Sequence, residues 1–396
     1  MLEIQEKKLV FDFDKCQQCG ICSAVCPKKA ITFSSRKDGL NAILVNKELC
    51  ILCGKCVKSC PANKICDYQD YFKAFPQKEY YLGYNKSHEI RRNSSSGGVC
   101  KTLIIEALKQ GLVDGVYSLK KTDRYPFAEG EFYTKENIPT FDKIPNSIYH
   151  SVMACTEIHK IKDCRRIMLV GTSCQLKALN TVVNNKHQEI IRICIFCKQQ
   201  KNLNSTRFLA KIMNTQLPHN LNFTFSYRGN GWPGMVEINQ AKLPWHRAAQ
   251  IPFGKRLWTV PGCNVCGDSY GILAEADISL MDPWEIKTPN DLGETLITIH
   301  SDKGKELLHN CHDIILEPKQ YNEVLPALSL KDVWRKQVTE AAFRKTECNP
   351  IYQKAARWEI KQRTYLQKTV EILPKLPILF YRILAKLPDF RNKILK

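Results

Sequence analysis

The sequence lacks a long apolar run. No uninterrupted apolar stretch approaches the roughly 20 residues that a membrane-spanning helix needs. It also lacks the apolar core of a secretory signal, because the opening residues MLEIQEKKLVFDFDK are charged from Glu3 onward. These absences argue against a membrane-spanning or secreted protein, and we expect a reducing, cytoplasmic location.

Two binding motifs are also missing. No GxGxxG run joins a strand to a helix, so the sequence does not predict a Rossmann dinucleotide site. The formal net charge is +20, but the basic residues are scattered and form no nucleic-acid-binding motif. We therefore expect the basic surface to face an acidic protein, such as a ferredoxin, or an anionic membrane surface.

Cysteine, in contrast, is abundant, with 19 residues. Eight of them form two CxxCxxCxxxCP sets, and the second set begins 34 residues after the first. This spacing is typical of bacterial two-cluster ferredoxins, in which the fourth cysteine of each set binds the other cluster. It predicts two 4Fe-4S clusters, one on Cys16, Cys19, Cys22 and Cys60, the other on Cys50, Cys53, Cys56 and Cys26. A disulfide knot and zinc sites are the alternatives, which the doubled pattern disfavours.

The length of 396 residues allows two or three domains. We predict an α+β ferredoxin-like module at 1–68, a linker at 69–90, an α/β domain at 91–330 and a helical, basic C-terminal region at 331–396. Short apolar strands alternate with amphipathic helices in the third segment, which indicates a mixed, largely parallel sheet. The final basic segment from Glu371 is either an interfacial amphipathic segment or a helix docked on the protein or a partner.

Four further cysteines follow predicted strands or form a CxxC: Cys174, Cys197, Cys263 and Cys266. Turns after parallel strands gather at one edge of a sheet, so these cysteines can meet there. Four thiolates can hold zinc or a third cluster, and the CxxC pair can also be a redox dithiol. Cys194 is an alternative to Cys197.

A Ser/Gly run precedes the first predicted helix of the α/β domain. It comprises Ser94, Ser95, Ser96, Gly97 and Gly98. Glycine permits close backbone approach, and a helix N-terminus presents free N–H groups, so the run can cradle a flavin phosphate. The alternative is an ordinary helix cap.

Several segments resemble the coenzyme F-420 hydrogenase/dehydrogenase beta-subunit family. They are SSSGGV at 94–99, SIYHS at 147–151, GTSCQLKAL at 171–179, IFC at 195–197, YRGNGWPG at 227–234 and CNVCGDSYGILAEADISLMDPW at 263–284. The resemblance implies FAD beside a third 4Fe-4S cluster held by Cys174, Cys197, Cys263 and Cys266. It also implies cofactor contacts from the Ser/Gly run and from Ser147, Tyr149, Ser151, Asp282 and Trp284.

Lys198 and Gln199 occupy positions where this family commonly has His-Gly or Gly-Gly. The resemblance places these positions where flavin or substrate would bind.

We expect an iron–sulfur flavoprotein oxidoreductase that passes electrons between its ferredoxin-type clusters and an FAD. The FAD would then reduce or oxidise a small conjugated substrate, F-420 or another acceptor. The alternative is an electron-transfer subunit of a larger hydrogenase or dehydrogenase complex, with no substrate of its own.

Overall fold

The computed structural model describes residues 2–5, 8–64, 66–183, 189–218, 223–344 and 350–372, together with residues 380, 383 and 386. Within these residues the strands are β1 Leu2–Gln5, β2 Lys8–Phe11, β3 Ile31–Ser35, β4 Asn41–Val45, β5 Tyr80–Asn85, β6 Gly115–Lys121, β7 Ala128–Thr134, β8 Arg166–Gly171, β9 Glu189–Ile195, β10 Phe225–Ser226, β11 Met235–Ile238, β12 Ala241–Pro244, β13 Ile278–Met281, β14 Thr295–Ile299 and β15 Ile314–Lys319. The helices are α1 Ile21–Ala24, α2 Lys55–Ser59, α3 His88–Asn93, α4 Val99–Lys109, α5 Ser173–Val183, α6 Leu203–Ile212, α7 Trp245–Ala248, α8 Pro261–Asn264, α9 Asp302–His309, α10 Tyr321–Val324, α11 Leu330–Arg344 and α12 Pro350–Ile372.

The central element is an eight-stranded mixed sheet with the order β15-β5-β14-β13-β9-β8-β6-β7. Its middle strands β6, β8, β9 and β13 are parallel to one another. The flanking pairs, β6–β7, β13–β14, β14–β5 and β5–β15, are antiparallel. The predicted mixed sheet is confirmed, but "largely parallel" applies only to its centre.

Helices cover both faces of this sheet, and the alternation of side chains along the strands fixes which residues face which layer. On one face, Leu103 and Leu108 of α4 and Leu307 of α9 pack on Met168 and Ile193. On the other face, α5 packs on Ile167 and Leu169, and the Cys19–Ile21 loop of the N-terminal segment joins this layer. The N-terminal segment therefore lies directly against the sheet domain.

The segment predicted as a linker contributes a strand. Residues 80–85 form β5, which lies between β14 and β15 in the sheet, so that part of the prediction is wrong. Tyr71 and Phe75, which precede it, are buried in an aromatic layer with Tyr270. The YYLGYN strand has no clean two-residue period, because Leu82 and Gly83 are both buried, so its sequence gives a weak strand signal.

The C-terminal region is helical as predicted, with α11 and α12 as its two long helices. Most of the segment from Glu371 onward, predicted as interfacial or docked, lies outside the described residues. None of the helices in the described ranges is both long and apolar enough to cross a membrane.

Candidate metal centres and cofactor site

The two N-terminal cysteine loops have the same backbone shape. Gln18 and Gly20 have φ of 55° and 87°, and Leu52 and Gly54, at the equivalent repeat positions, have φ of 52° and 71°. These left-handed residues curl each loop, and α1 and α2 begin directly after the two glycines. Glycine adopts this conformation without the steric strain that a Cβ brings. The 34-residue sequence repeat is thus also a repeat of backbone conformation.

Each loop surrounds a small cavity, and each cavity takes its fourth cysteine from the other loop. One cavity is lined by Cys16, Cys19, Cys22 and Cys60. The other is lined by Cys50, Cys53, Cys56 and Cys26. We call these groups the inner set and the outer set. They are the groupings that the spacing predicts as cluster ligands, and their metal binding stays a prediction.

The thiols of each set lie close enough to influence one another. Burial raises the pKa of Cys60 to about 11, and the nearby thiols of Cys19 and Cys16 add to the rise. Burial likewise raises the pKa of Cys56 to about 11, with Cys26 and Cys53 adding to it. Metal binding releases the thiol protons, and the positive charge of bound iron offsets the repulsion between neighbouring thiolates, so the donor chemistry fits a cluster.

Backbone N–H groups point at some of these sulfur atoms. The N–H of Gln18 donates to the Cys16 Sγ at 3.4 Å, and that of Ala30 donates to the Cys26 Sγ at 3.3 Å. Such bonds to ligand sulfur tune the reduction potential of a cluster.

No group of three or more His, Cys, Asp or Glu side chains among the described residues is close enough to hold a single metal ion. A 4Fe-4S cubane has a different requirement, because each thiolate binds its own iron at a different corner of the cluster. The four thiols around each cavity are the number that one cubane needs.

The third candidate set lies at the carboxyl edge of the parallel strands. Cys174 is in the first turn of α5, which follows β8, and Cys197 follows β9. Cys263 lies in α8, and Cys266 follows it in the same loop. The sequence predicts Cys174 in a turn, whereas the structure starts the helix one residue earlier, at Ser173.

These four thiols also influence one another. Burial raises the pKa of Cys263 to about 12, and Cys197 and Cys266 add to it. Burial raises the pKa of Cys174 as well, with Cys266 and Cys263 as the next contributors. We call this group the third set.

Cys194 lies near the third set but in a different environment. Its side chain is fully buried in the aliphatic layer of the sheet with Ile167, Leu169 and Leu176. A Cβ added to Gly271 would lie 2.7 Å from its Sγ, so the chain packs tightly over it. Cys194 is placed as a core residue, and Cys197 is placed at the strand end.

Buried polar residues hold the CxxC loop in place. Asp268 accepts hydrogen bonds from the Ser173 hydroxyl at 2.6 Å and the Tyr71 hydroxyl at 2.8 Å. From α11, Glu340 accepts from the Gly267 N–H at 2.9 Å, and Gln337 donates to the Gly267 carbonyl at 3.3 Å. These buried, paired groups hold the backbone of the CxxC loop against α5 and α11.

Two buried lysines flank the third set. Lys336 donates to the Cys197 carbonyl and the Ser269 hydroxyl, each at 3.4 Å. Lys177 lies 3.5 Å from Asp268 and donates to the Cys66 Sγ at 3.2 Å. Burial alone would lower the pKa of Lys177, but Asp268 and Cys266 more than reverse this and raise it, so the ammonium stays charged. Positive charge here suits the negative charge of a cluster with four thiolates.

Sequence reasoning misses both lysines. Lys336 comes from a helix that follows the predicted α/β domain, and no local motif marks it. Lys177 does lie within the GTSCQLKAL segment that carries the family resemblance, and its spacing of three residues from Cys174 could have singled it out.

The inner set and the third set meet at Gly262. The Gly262 N–H donates to the Cys16 carbonyl at 3.0 Å, and Gly262 immediately precedes Cys263. A Cβ at Gly262 would lie 2.5 Å from the Lys15 carbonyl oxygen. Only glycine permits this approach, which brings a ligand loop of each set into backbone contact.

The Ser/Gly run is used largely within the protein. The Ser95 hydroxyl accepts from the Ser147 N–H at 2.7 Å, and the Ser96 hydroxyl donates to the Glu294 carbonyl. Gly97 packs so closely on β5 that a Cβ would lie 2.7 Å from the Gly83 carbonyl oxygen. Gly98 caps α4 with φ of 80°.

Four of the predicted flavin contacts converge on Arg228, which is only 1 % exposed. Its guanidinium pairs with Asp282 at 2.8 Å, donates to the Tyr149 hydroxyl at 3.0 Å and donates to the Ser95 carbonyl at 2.6 Å. It also lies 5.9 Å from the ring centre of Trp284. Burial opposes the charge, yet Asp282 holds the pKa of Arg228 above its ordinary value. Sequence reasoning misses this residue, although YRGNGWPG contains it.

A cavity of about 440 Å³ reaches Asn146, whose side chain donates to the Arg228 carbonyl at 3.0 Å, but Arg228, Tyr149, Asp282 and Trp284 do not line it. Ser94 and Ser147 line it, as do the side chains of Lys101, Phe127 and Phe141. Its volume falls within the range of small-molecule sites, and its lining is polar and aromatic.

Ser151 lies away from this cavity. Its hydroxyl donates to the Lys201 carbonyl at 3.3 Å. The two residues that depart from the family pattern are also engaged: Lys198 pairs with Asp332 at 3.0 Å, and Gln199 accepts from the Lys201 ammonium at 2.7 Å.

Family comparisons match three regions of the chain. Two of them match the family described as "Coenzyme F420 hydrogenase/dehydrogenase, beta subunit": residues 80–138 match its N-terminal model and residues 164–323 match its C-terminal model. Together these two models span more than half of the chain. Residues 15–64 match the model "4Fe-4S dicluster domain".

Individual relatives are distant. An uncharacterized protein of Methanocaldococcus jannaschii is 26% identical over 231 residues, 48% of this chain and 61% of that protein. One of the F(420)H(2) dehydrogenase subunits of Methanosarcina mazei is 24% identical over 200 residues, 46% of this chain and 53% of that protein. The chain thus spans less than two thirds of the length of these curated relatives.

A solved chain from the F420-reducing [NiFe] hydrogenase complex of Methanosarcina barkeri is 19% identical. The match covers 69% of this chain and 96% of that chain, with a TM-score of 0.46.

Proposed function

Because this chain belongs to the coenzyme F420 hydrogenase/dehydrogenase beta-subunit family and carries a 4Fe-4S domain, we propose that it is an iron–sulfur electron-transfer subunit of a larger redox complex. The observation that carries the proposal is the grouping of its cysteines around cavities, with the inner and third sets in backbone contact at Gly262. Clusters of this type carry single electrons.

We assign three 4Fe-4S clusters, one to each set. Backbone N–H groups donate to the sulfur atoms of Cys16 and Cys26, and the ammonium groups of Lys177 and Lys336 lie beside the third set, where positive charge suits a cluster. We propose the order outer set, inner set, third set, which the backbone hydrogen bond between the inner and third sets at Gly262 supports. One relative is named as a dehydrogenase subunit, which supports a role within a complex.

FAD is the second part of the proposal, and the cavity of about 440 Å³ favours it. Lys101 offers a cation for a phosphate, and Ser94 and Ser147 offer hydroxyls at the same cavity. The Arg228–Asp282 pair does not line this cavity, but Arg228 holds the carbonyl of Ser95, next to the lining residue Ser94. With FAD bound, the chain would exchange electron pairs with a small organic acceptor, and it would be an oxidoreductase in its own right.

The test is anaerobic purification followed by chemical assay of iron, sulfide, zinc and flavin. The proposal predicts about twelve iron and about twelve sulfide per chain, since three cubanes contain four of each. About one FAD per chain supports the flavin part. Zinc without iron would reject the whole proposal, whereas twelve iron without flavin would reject only the flavin part.

A further inference from the structure

The outer set lies at an exposed surface of the protein. The cavity of that set is lined by five exposed residues, which we call the outer face: Pro27, Lys28, Ile51, Cys53 and Lys55. Ile51 is 58% exposed, an unusual exposure for a large apolar side chain. Leu49, on the other side of Cys50, is 48% exposed. Two large apolar side chains are thus exposed to solvent on either side of Cys50, a candidate cluster ligand.

The inner set, in contrast, is covered by residues of the sheet domain. Its cavity is lined by Met153 from the sheet domain, and the Cys16 carbonyl is held by the Gly262 loop. The Cys19 carbonyl accepts the Cys155 N–H at 2.9 Å. Of the two sets, the outer one is open to another molecule.

The outer face is basic. Lys28 and Lys55 are exposed and form no ion pair within the described part of the chain. No acidic residue lines the cavity, and Lys29 and Lys58 add positive charge close by in sequence. An apolar centre ringed by lysines that lack internal partners fits a surface that binds an acidic protein.

We propose that the outer face is the docking site for an acidic, small iron–sulfur protein that donates or accepts one electron. This inference rests on the proposed function. In the encounter the reduced partner loses one electron and this chain gains one, with no bond made or broken and no proton transferred. The apolar centre is small, which matches the small interfaces of transient redox encounters.

Charge favours this occupant over the others. A second copy of the chain would bring the same lysines face to face, which repels. A membrane surface calls for a broad apolar face, whereas the outer face offers only Ile51, Pro27 and the neighbouring Leu49.

The test uses the purified holoprotein, a reduced acidic two-cluster ferredoxin as the probe, and stopped-flow measurement of the second-order rate of electron transfer. The double variant Lys28→Glu/Lys55→Glu reverses the charge of the outer face. The matched control is Lys361→Glu/Lys368→Glu, which makes the same charge change at exposed positions of α12. We expect the outer-face variant to lose at least about tenfold in rate at low salt, and the control to stay within about twofold. We expect Ile51→Ser to slow the reaction while keeping its salt dependence.

Iron content and reduction by dithionite are measured for every variant. If all variants hold their clusters and accept electrons from dithionite, yet react with the ferredoxin at equal rates, the docking site is wrong and the proposed function stands. Equal losses in both double variants would also overturn the docking site, because net charge alone would then explain them. The docking site would also be overturned if the wild type self-associates in light scattering, or binds phosphatidylserine vesicles, and the outer-face variant does not. A wild-type chain without clusters overturns both proposals.

Discussion

Among single residues, position separates the candidate ligands from the other buried cysteines more clearly than burial does. Cys194 is buried within β9, whereas Cys174 is half-buried at a helix start, and the candidate ligand Cys263 is buried as Cys194 is. We expect Cys174→Ala to lose about four iron per chain, because a cubane needs all four of its thiolates. Cys194→Ala should keep its iron and lose only the packing of one small side chain. Iron assays after anaerobic purification decide between them, and equal iron in both variants would contradict the assignment.

Arg228 gives a second prediction, because its charge is buried and paired. We expect Arg228→Met to lower the free energy of unfolding by about 3–5 kcal/mol, since Asp282 would remain without its partner. The control is Arg92→Met, which breaks the exposed pair with Asp291 and should cost less than about 1 kcal/mol. Thermal unfolding of both variants measures the difference, and equal small losses would show that the Arg228 network is not a structural anchor.

His150 makes the stability of the folded protein depend on pH. It is fully buried, and burial lowers its pKa to about 4 from its ordinary value near 6.5. The unfolded chain therefore binds more protons than the folded chain between these values, so His150 costs stability as the pH falls. Between pH 7 and pH 5 the loss is about 2 kcal/mol. We expect denaturant midpoints of His150→Gln to depend less on pH over this window than those of the wild type, and parallel curves would contradict the shift.

At the scale of the elements, the loops that join strands to helices carry the chemistry. The alternation of short apolar strands and amphipathic helices predicted for residues 91–330 is present as α4, β6, β8, α5, β9 and α6, because each has an apolar period or a short apolar run between turn residues. Sequence reasoning misses β5, whose tyrosines and glycine give a weak signal. It also misses how α11 contributes to the CxxC loop, because the contact of Gln337 and Glu340 with Gly267 joins residues about seventy positions apart.

Gly262 supplies the prediction at this scale. A Cβ there would clash with the carbonyl of Lys15, so Gly262→Ala must move α8 away from the inner set. We expect the free energy of unfolding to fall by about 1–3 kcal/mol. We also expect slower reduction of the cluster at the third set, which freeze-quench EPR measures. Gly254→Ala is the matched control, because its nearest neighbour would lie 3.9 Å away. Unchanged rates in Gly262→Ala would contradict a direct route between the two sets.

For the whole molecule, the sequence predicts which cysteines group together, because metal spacing and the edge rule for parallel strands are general constraints. It cannot predict the Arg228 cluster, which joins Ser95, Tyr149 and Asp282 from three distant segments. Nor can it place the inner set against the third set, since that contact depends on how the N-terminal segment docks on the sheet. The proposed order of the three sets therefore rests on this contact and not on the sequence.

The central claim is that three clusters occupy these sets, and a reductive titration of the holoprotein tests it most directly. The anaerobic protein is titrated with dithionite while its visible spectrum and EPR signals are recorded. We predict uptake of about three electrons per chain by the clusters, with about two more if one FAD is bound. Uptake of about two electrons, with no third cluster signal and no flavin, would contradict the account.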